Sequence, residues 1–339
     1  MDSNLTQISF EQMNKVLRIL FRKYGFTDSK ADLMARIYTE STLDGVNSHG
    51  INRVPLFITY VEKGYVDVNA EAEKAEAFGS IERWDGKLGP GIINAHKCTH
   101  RAIELAKTNG MGLVALRNTN HWMRGGTYGR MAADNNCISI LFTNTQPNMP
   151  PWGGKESRLG NNPLVVSIPR EEGHVVLDMA ISQFAFGKIH DYRLKGQKLP
   201  FPGGWDDDDK LSNDPEKILN KERGLPIGYW KGSALSMVLD MLATLLSAGN
   251  STSKISGKDC EVGISQVYLC ISQELFHDKD LQERLLQEII DFTHDVEPIN
   301  KGDKIYYPGE RTLETRAKNK QEGMPVSNEV WAKILELSS

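Results

Sequence analysis

Apolar positions along the chain fall into two regimes. Up to about residue 65 they recur at helical spacing. Phe10, Met13, Val16, Leu17, Leu20 and Phe21 follow the i, i+3, i+4 pattern of one buried helix face. Gly25 ends that helix, and Thr27-Asp28-Ser29 caps a second one running from about Lys30 to Leu43. Gly45 suits a C-cap, and a third helix carries Val54, Phe57, Ile58 and Val61. From about Ala77 the spacing shortens to runs typical of strands: Ile81 to Trp84, Met111 to Leu116, Ile138 to Phe142, Leu164 to Ile168, Val175 to Met179 and Ile264 to Ile271. Helical patterns lie between and after them, at Ile92 to Lys107, Pro226 to Ser247 and Leu281 to Thr293. Residues 200–214 read as a surface loop. A polar tail carries a loop at Tyr306 to Glu310 and a final helix near Asn328 to Leu337.

The fold class expected from this order is α/β in the broad, α+β sense. A helical N-terminal unit (1–76) precedes a mixed α/β domain (77–299), and the helices of 300–339 are free to return to either. A chain of 339 residues exceeds the usual size of one hydrophobic core, which agrees with two units. The net charge of −4 gives no basic footprint for nucleic acid or anionic membrane. No apolar run approaches the roughly 20 residues of a membrane span. Met1-Asp2-Ser3-Asn4 lacks the signature of a signal peptide, and the four cysteines form no C-x-x-C motif. A cytoplasmic protein with reduced thiols is expected.

Two short segments carry the chemistry. Ser48-His49-Gly50 is followed by Arg53, one helical turn beyond His49. His121 and Arg124 repeat the combination beyond the Met111 to Leu116 strand, where Gly125 and Gly126 are expected to turn the backbone before the next helix. Arginine grips a carboxylate through a planar fork, and a neighbouring imidazole titrating near neutrality can protonate an adjacent carbonyl oxygen. A 2-keto or 2-hydroxy acid site follows if the segments meet. Other signals point elsewhere only weakly. Gly86-Lys87-Leu88-Gly89-Pro90-Gly91 reverses the dinucleotide fingerprint, and its proline removes an N–H that would face a pyrophosphate. His96, Cys98 and His100 cannot converge on one metal from a single helix, and Asp206 to Asp209 lack calcium-loop spacing, so no metal is expected. Ser48 and His49 are adjacent in a turn and are not expected to face each other as a nucleophile and base. With G-x-S-x-G also missing, a hydrolase is disfavoured.

The Ser48-His49-Gly50-x-Asn52-Arg53 turn, Asn161-Asn162-Pro163-Leu164, Leu177-Asp178-Met179 and Pro308-Gly309-Glu310 together resemble the type 2 malate/L-lactate dehydrogenases, over nearly the whole chain. Within that family, Asn120 to Gly126, Met149 to Gly153 and Gly228 to Ser233 resemble members that reduce a sugar-derived 2-keto acid. The resemblance implies a non-Rossmann dinucleotide-binding fold in a homodimer. It implies NADH as cofactor, with NADPH as the alternative, and His49 as proton donor. Arg53 would bind the substrate carboxylate, assisted by Ser48, His121 and Arg124. It assigns cofactor contacts to His174, Val175, Val176, Leu177, Asp178, Met179 and Ala180, to Trp230 and Lys231, and to Gly309 and Glu310. Malate, lactate, sulfolactate and ureidoglycolate are the alternative substrates within the family. A metal-dependent hydrolase is the alternative from another class, and a non-catalytic binding protein is a more distant one.

Overall fold

The computed structural model describes residues 4–255, 260–275 and 278–339. Helix α1 spans Phe10–Lys23, its first turn capped by Ser9, whose Oγ accepts from the Gln12 amide at 3.1 Å. Helix α2 follows at Asp28–Leu43 and helix α3 at Val54–Glu62. Between α2 and α3 the chain makes two short 3-10 turns, Asn47–His49 and Ile51–Arg53. Gly45, at φ +79°, closes α2: its amide bonds to the Thr42 carbonyl, and that of Val46 to the Ser41 carbonyl.

A seven-stranded sheet forms the centre. Its spatial order is Glu73–Phe78, Ile81–Asp85, Met111–Thr119, Ile264–Ser272, Cys137–Thr143, Leu164–Ile168, Val175–Met179. Only the pairing of Ile81–Asp85 with Met111–Thr119 is parallel; the other five are antiparallel, so the sheet is mixed. Alternate residues of the Met111–Thr119 strand serve different layers. Val114 and Leu116 join the larger core with helices α4 (Gly91–Asn109) and α5 (Gly125–Asp134), while Leu113 and Ala115 pack with Leu239 and Ala243 of the Trp230–Ser247 helix.

That larger core runs without a break from Leu17, Phe21 and Ile37 through Ile92 and Tyr128 to Trp331 and Ile334. The residue 76/77 boundary therefore marks no gap in packing, and it cuts through the first strand of the sheet. The chain ends meet. Leu5–Ile8 pairs antiparallel with Met324–Ser327, the Asn328–Ser338 helix packs on α1, and the Lys23 ammonium donates to the Leu337 carbonyl. Residues 200–214 depart from a plain loop. Gly204–Trp205 and Leu211–Ser212 pair as a small hairpin beside a satellite core of Phe184, Ile189, Leu199 and Ile218. Among the described residues no helix is long and apolar enough to cross a membrane.

Candidate active site

The turn after α2 is pinned to that helix by Thr42. Thr42 Oγ1 donates to the Tyr38 carbonyl and accepts the Ile51 amide at 2.9 Å. Gly50 packs so closely on that hydroxyl that a Cβ there would lie 2.4 Å from it, so the turn requires glycine. Held in this way, Ser48, His49 and Arg53 all line a cavity of about 800 Å³. Against expectation, Ser48 and His49 do meet: Ser48 Oγ lies 3.0 Å from His49 Nδ1, the imidazole turning back toward the hydroxyl of its chain neighbour. Among the described residues Nε2 of His49 has no protein partner. Burial holds the His49 pKa down, to about 4; the Asp178 carboxylate opposes this, and Arg53 and Arg124 reinforce it.

His121 enters the same cavity from the end of the Met111–Thr119 strand. Its ring centroid is 5.7 Å from that of His49, so the two segments converge. His121 Nδ1 accepts the Met123 amide at 2.8 Å, which places its proton on Nε2, and burial keeps the ring neutral. Arg53 and Arg124 differ sharply. Among the described residues no carboxylate pairs with Arg53. Arg124 is bound by Asp44, which also takes Arg316 at 2.6 Å, and all three are largely buried. The second arginine of the sequence pattern thus lines the cavity with its charge already matched. Gly125 and Gly126 do not form a turn before α5 but are its first residues. A Cβ at Gly126 would lie 2.9 Å from the Asp178 carboxylate, which accepts the Gly126 amide at 2.7 Å.

Opposite His49 the cavity wall is the free edge of the sheet. Val176 turns its N–H outward to the Pro308 carbonyl at 2.8 Å, and the two-residue period turns the amide of Asp178 the same way. Val176, Leu177, Asp178, Ala180 and Gly309 line the cavity. Gly309, at φ +101°, lies so close to this strand that a Cβ would meet the Val176 amide at 3.1 Å. A strip of outward-facing backbone groups beside a glycine fits the planar carboxamide of a nicotinamide.

The remaining expected cofactor residues lie elsewhere. Val175 and Met179 belong to the strand without lining the cavity. His174 lines a second pocket of about 460 Å³ and bonds Asp134 at 3.0 Å. Glu310 is engaged by His294, Lys304 and the Tyr307 amide. Trp230 and Lys231 open their helix on the exposed surface, outside both pockets. The glycine turn at 86–91 is tied by Asn94, which donates to the Gly86 carbonyl, and by Asn120, which donates to those of Leu88 and Gly89, so it serves as a structural turn.

Two carboxylates carry no signal in the sequence. Asp44 lies behind the cavity, where it neutralises Arg124. Glu261, on the cavity wall, approaches from the loop ahead of the Ile264–Ser272 strand. Neither belongs to a motif, and only the tertiary fold brings Asp44 to Arg124 and Glu261 to His121.

A mixed-sheet fold with paired imidazoles and an unmatched arginine beside a sheet edge defines an oxidoreductase site better than a hydrolytic one. A family model described as malate/L-lactate dehydrogenase matches residues 8–335, and the chain belongs to that family. It is therefore an enzyme of the nicotinamide-dependent dehydrogenase and reductase class. The chain is 42% identical over 332 residues to a 2,3-diketo-L-gulonate reductase of Escherichia fergusonii, covering 98% of this chain and 100% of that one. It is 41% identical, with the same coverage, to a 2,3-diketo-L-gulonate reductase of Citrobacter koseri. Among solved structures, sulfolactate dehydrogenase from Methanocaldococcus jannaschii superposes with a TM-score of 0.89 at 30% identity, covering 98% of this chain and 96% of that one. Malate dehydrogenase from Entamoeba histolytica shares the fold, with a TM-score of 0.93 at 24% identity, covering 98% of this chain and 97% of that one.

Proposed function

We propose that the protein reduces a sugar-derived 2-keto acid, 2,3-diketo-L-gulonate to 3-keto-L-gulonate, with His49 as proton donor and Arg53 as carboxylate anchor. The observation that carries this reading is that His49 and Arg53 rise from one short turn into one cavity, with Nε2 and the guanidinium both unmatched. The relatives named above support the substrate. A reduced nicotinamide dinucleotide, when bound along the edge strand, supplies the hydride.

The chain's own groups do the rest. Arg53 holds the carboxylate in two hydrogen bonds and fixes the keto carbon. In the protonated ring Nδ1–H donates to Ser48 Oγ, and Nε2–H gives its proton to the carbonyl oxygen as hydride reaches the carbon, leaving a neutral imidazole. Carboxylate binding also cancels the Arg53 charge that helps to hold His49 neutral, and so raises its pKa toward that of a working donor. Ser48 and His121 orient, while Arg124 shapes the wall with its charge held by Asp44. The test is the loss of NADH absorbance, and separately of NADPH absorbance, with a panel of 2-keto acids. Turnover of malate- or lactate-type partners with none of the sugar acid would replace the substrate assignment.

A homodimer completes this reading. The Trp230–Ser247 helix exposes Met237, Met241 and Leu245, and the Lys279–His294 helix exposes Leu285, Ile289 and Phe292, the last 86% accessible. Apolar faces of this extent suit a second copy. Trp230 and Lys231 stand at the start of one of them, where they would meet a dinucleotide only as part of that contact. Light scattering on wild type and Leu245→Glu tests it, with a monomeric wild type as the contrary outcome.

A further inference from the structure

Glu261 brings a carboxylate into the cavity with one oxygen satisfied and one not. Its Oε2 accepts the Gln146 amide at 3.0 Å, while its Oε1 is buried without a hydrogen-bond partner. Nε2 of His121 lies 3.9 Å away, too far for a hydrogen bond. That nitrogen carries the proton, since Nδ1 is taken by the Met123 amide. A donor and an acceptor therefore sit side by side, too far apart to bond each other but close enough for one oxygen lying beside the line that joins them to bond both. Asn148, on the same cavity wall, holds a second buried acceptor, Oδ1, also without a partner. Buried acceptors left unmade cost more than a hydrogen bond gains, so such a wall favours a ligand that brings donors.

A carboxylate does not suit the place beside Glu261: it brings no hydrogen for Oε1, and burial, which already raises the Glu261 pKa, disfavours a second negative charge there. A keto oxygen accepts from His121 but gives Glu261 nothing. An alcohol satisfies both sides, accepting from Nε2–H and donating to Oε1. The geometry points to a hydroxyl-reading subsite between His121 and Glu261, with Asn148 as a further acceptor, that binds the polyhydroxylated chain of the substrate and discriminates against plain keto acids of equal length. This rests on the function proposed above and adds a specificity residue to it. The charges divide the cavity accordingly: the acid group goes to Arg53 and the hydroxylated tail to Glu261.

Calorimetry with the full chain should show L-gulonate binding at least about tenfold tighter than hexanoate, as hydrogen bonds to otherwise unpartnered buried groups imply. Steady-state rates should favour 2-keto-L-gulonate over 2-oxohexanoate in the same sense. Glu261→Gln keeps an oxygen for the Gln146 amide but turns an NH2 toward the subsite. It should shrink both preference ratios roughly ten- to hundredfold, and a ratio is insensitive to how much of the variant folds. Equal affinity of wild type for the two acids would mean that an ordered water alone sits beside Glu261, and would overturn the subsite. So would an unchanged ratio in Glu261→Gln. A binding preference that persists while no keto acid consumes NADH or NADPH would uphold the subsite and sink the reductase reading.

Discussion

Two His/Arg pairs that look alike in sequence end in opposite electrostatic states. His49 and Arg53 share a turn tied by the hydroxyls of Thr42 and Ser48 and by Asn47, which donates to the Pro325 carbonyl, and the guanidinium faces the cavity unmatched. His121 and Arg124 reach the same cavity, but Arg124 is locked to Asp44 and, through it, to Arg316. One pair is free to bind an incoming carboxylate; the other spends its charge on tying three segments of chain together. A matching pattern of residue types therefore says little about role until the counter-charges are known.

Four experiments press on this contrast. The largest effect is expected from His49→Ala, which should lower kcat about 10²- to 10⁴-fold with nucleotide affinity retained, as fluorescence titration with NADH would show. Undiminished turnover would move the proton donor elsewhere, His121 being the next residue to test. Asp44→Asn should lower stability by about 3–5 kcal/mol in denaturant unfolding, because it leaves two largely buried guanidiniums without a counter-charge. A small change there would mean that Arg124 and Arg316 are solvated and that the contrast is overstated.

Acid should act next. The His49 pKa lies below the unfolded value of 6.5, near 4, so the unfolded chain takes up the proton first. The stabilisation is complete above pH 6.5 and is lost as the pH falls toward 4, by up to about 3 kcal/mol. Melting temperature against pH should therefore fall less steeply in His49→Gln than in wild type over that window. The mildest change, Arg53→Lys, should raise KM about tenfold with kcat little altered, since an ammonium cannot supply the fork. An unchanged KM would remove Arg53 from carboxylate binding.

How much of this was visible in the sequence depended on the physical signal each element carries. The central strands are short, predominantly apolar runs broken by small or amide side chains such as Ser139, Ser167 and Gln266, and their limits agree with the sequence pattern within a few residues. Leu5–Ile8 and Met324–Ser327 are short and mixed, and they pair only because the chain ends meet, so nothing local announces them. Glu73–Phe78 lies at the sheet edge with every residue exposed, so it lacks the alternation that marks a half-buried strand. The Glu310–Glu322 helix is almost wholly polar and was passed over for the same reason. In the site, Ser48, His49, Arg53 and His121 were legible because turn glycines and adjacent strands flagged them. Glu261 was not, because a lone carboxylate carries meaning only beside the imidazole it faces.

The clamp at Asp44 joins parts of the chain that are distant in sequence. Arg316 lies on the Glu310–Glu322 helix, 272 residues beyond Asp44, and the Met324–Ser327 strand that follows pairs with Leu5–Ile8. The wall that Arg124 forms is therefore anchored through one carboxylate to two remote helices, and unravelling the Glu310–Glu322 helix would change the charge balance beside the cavity.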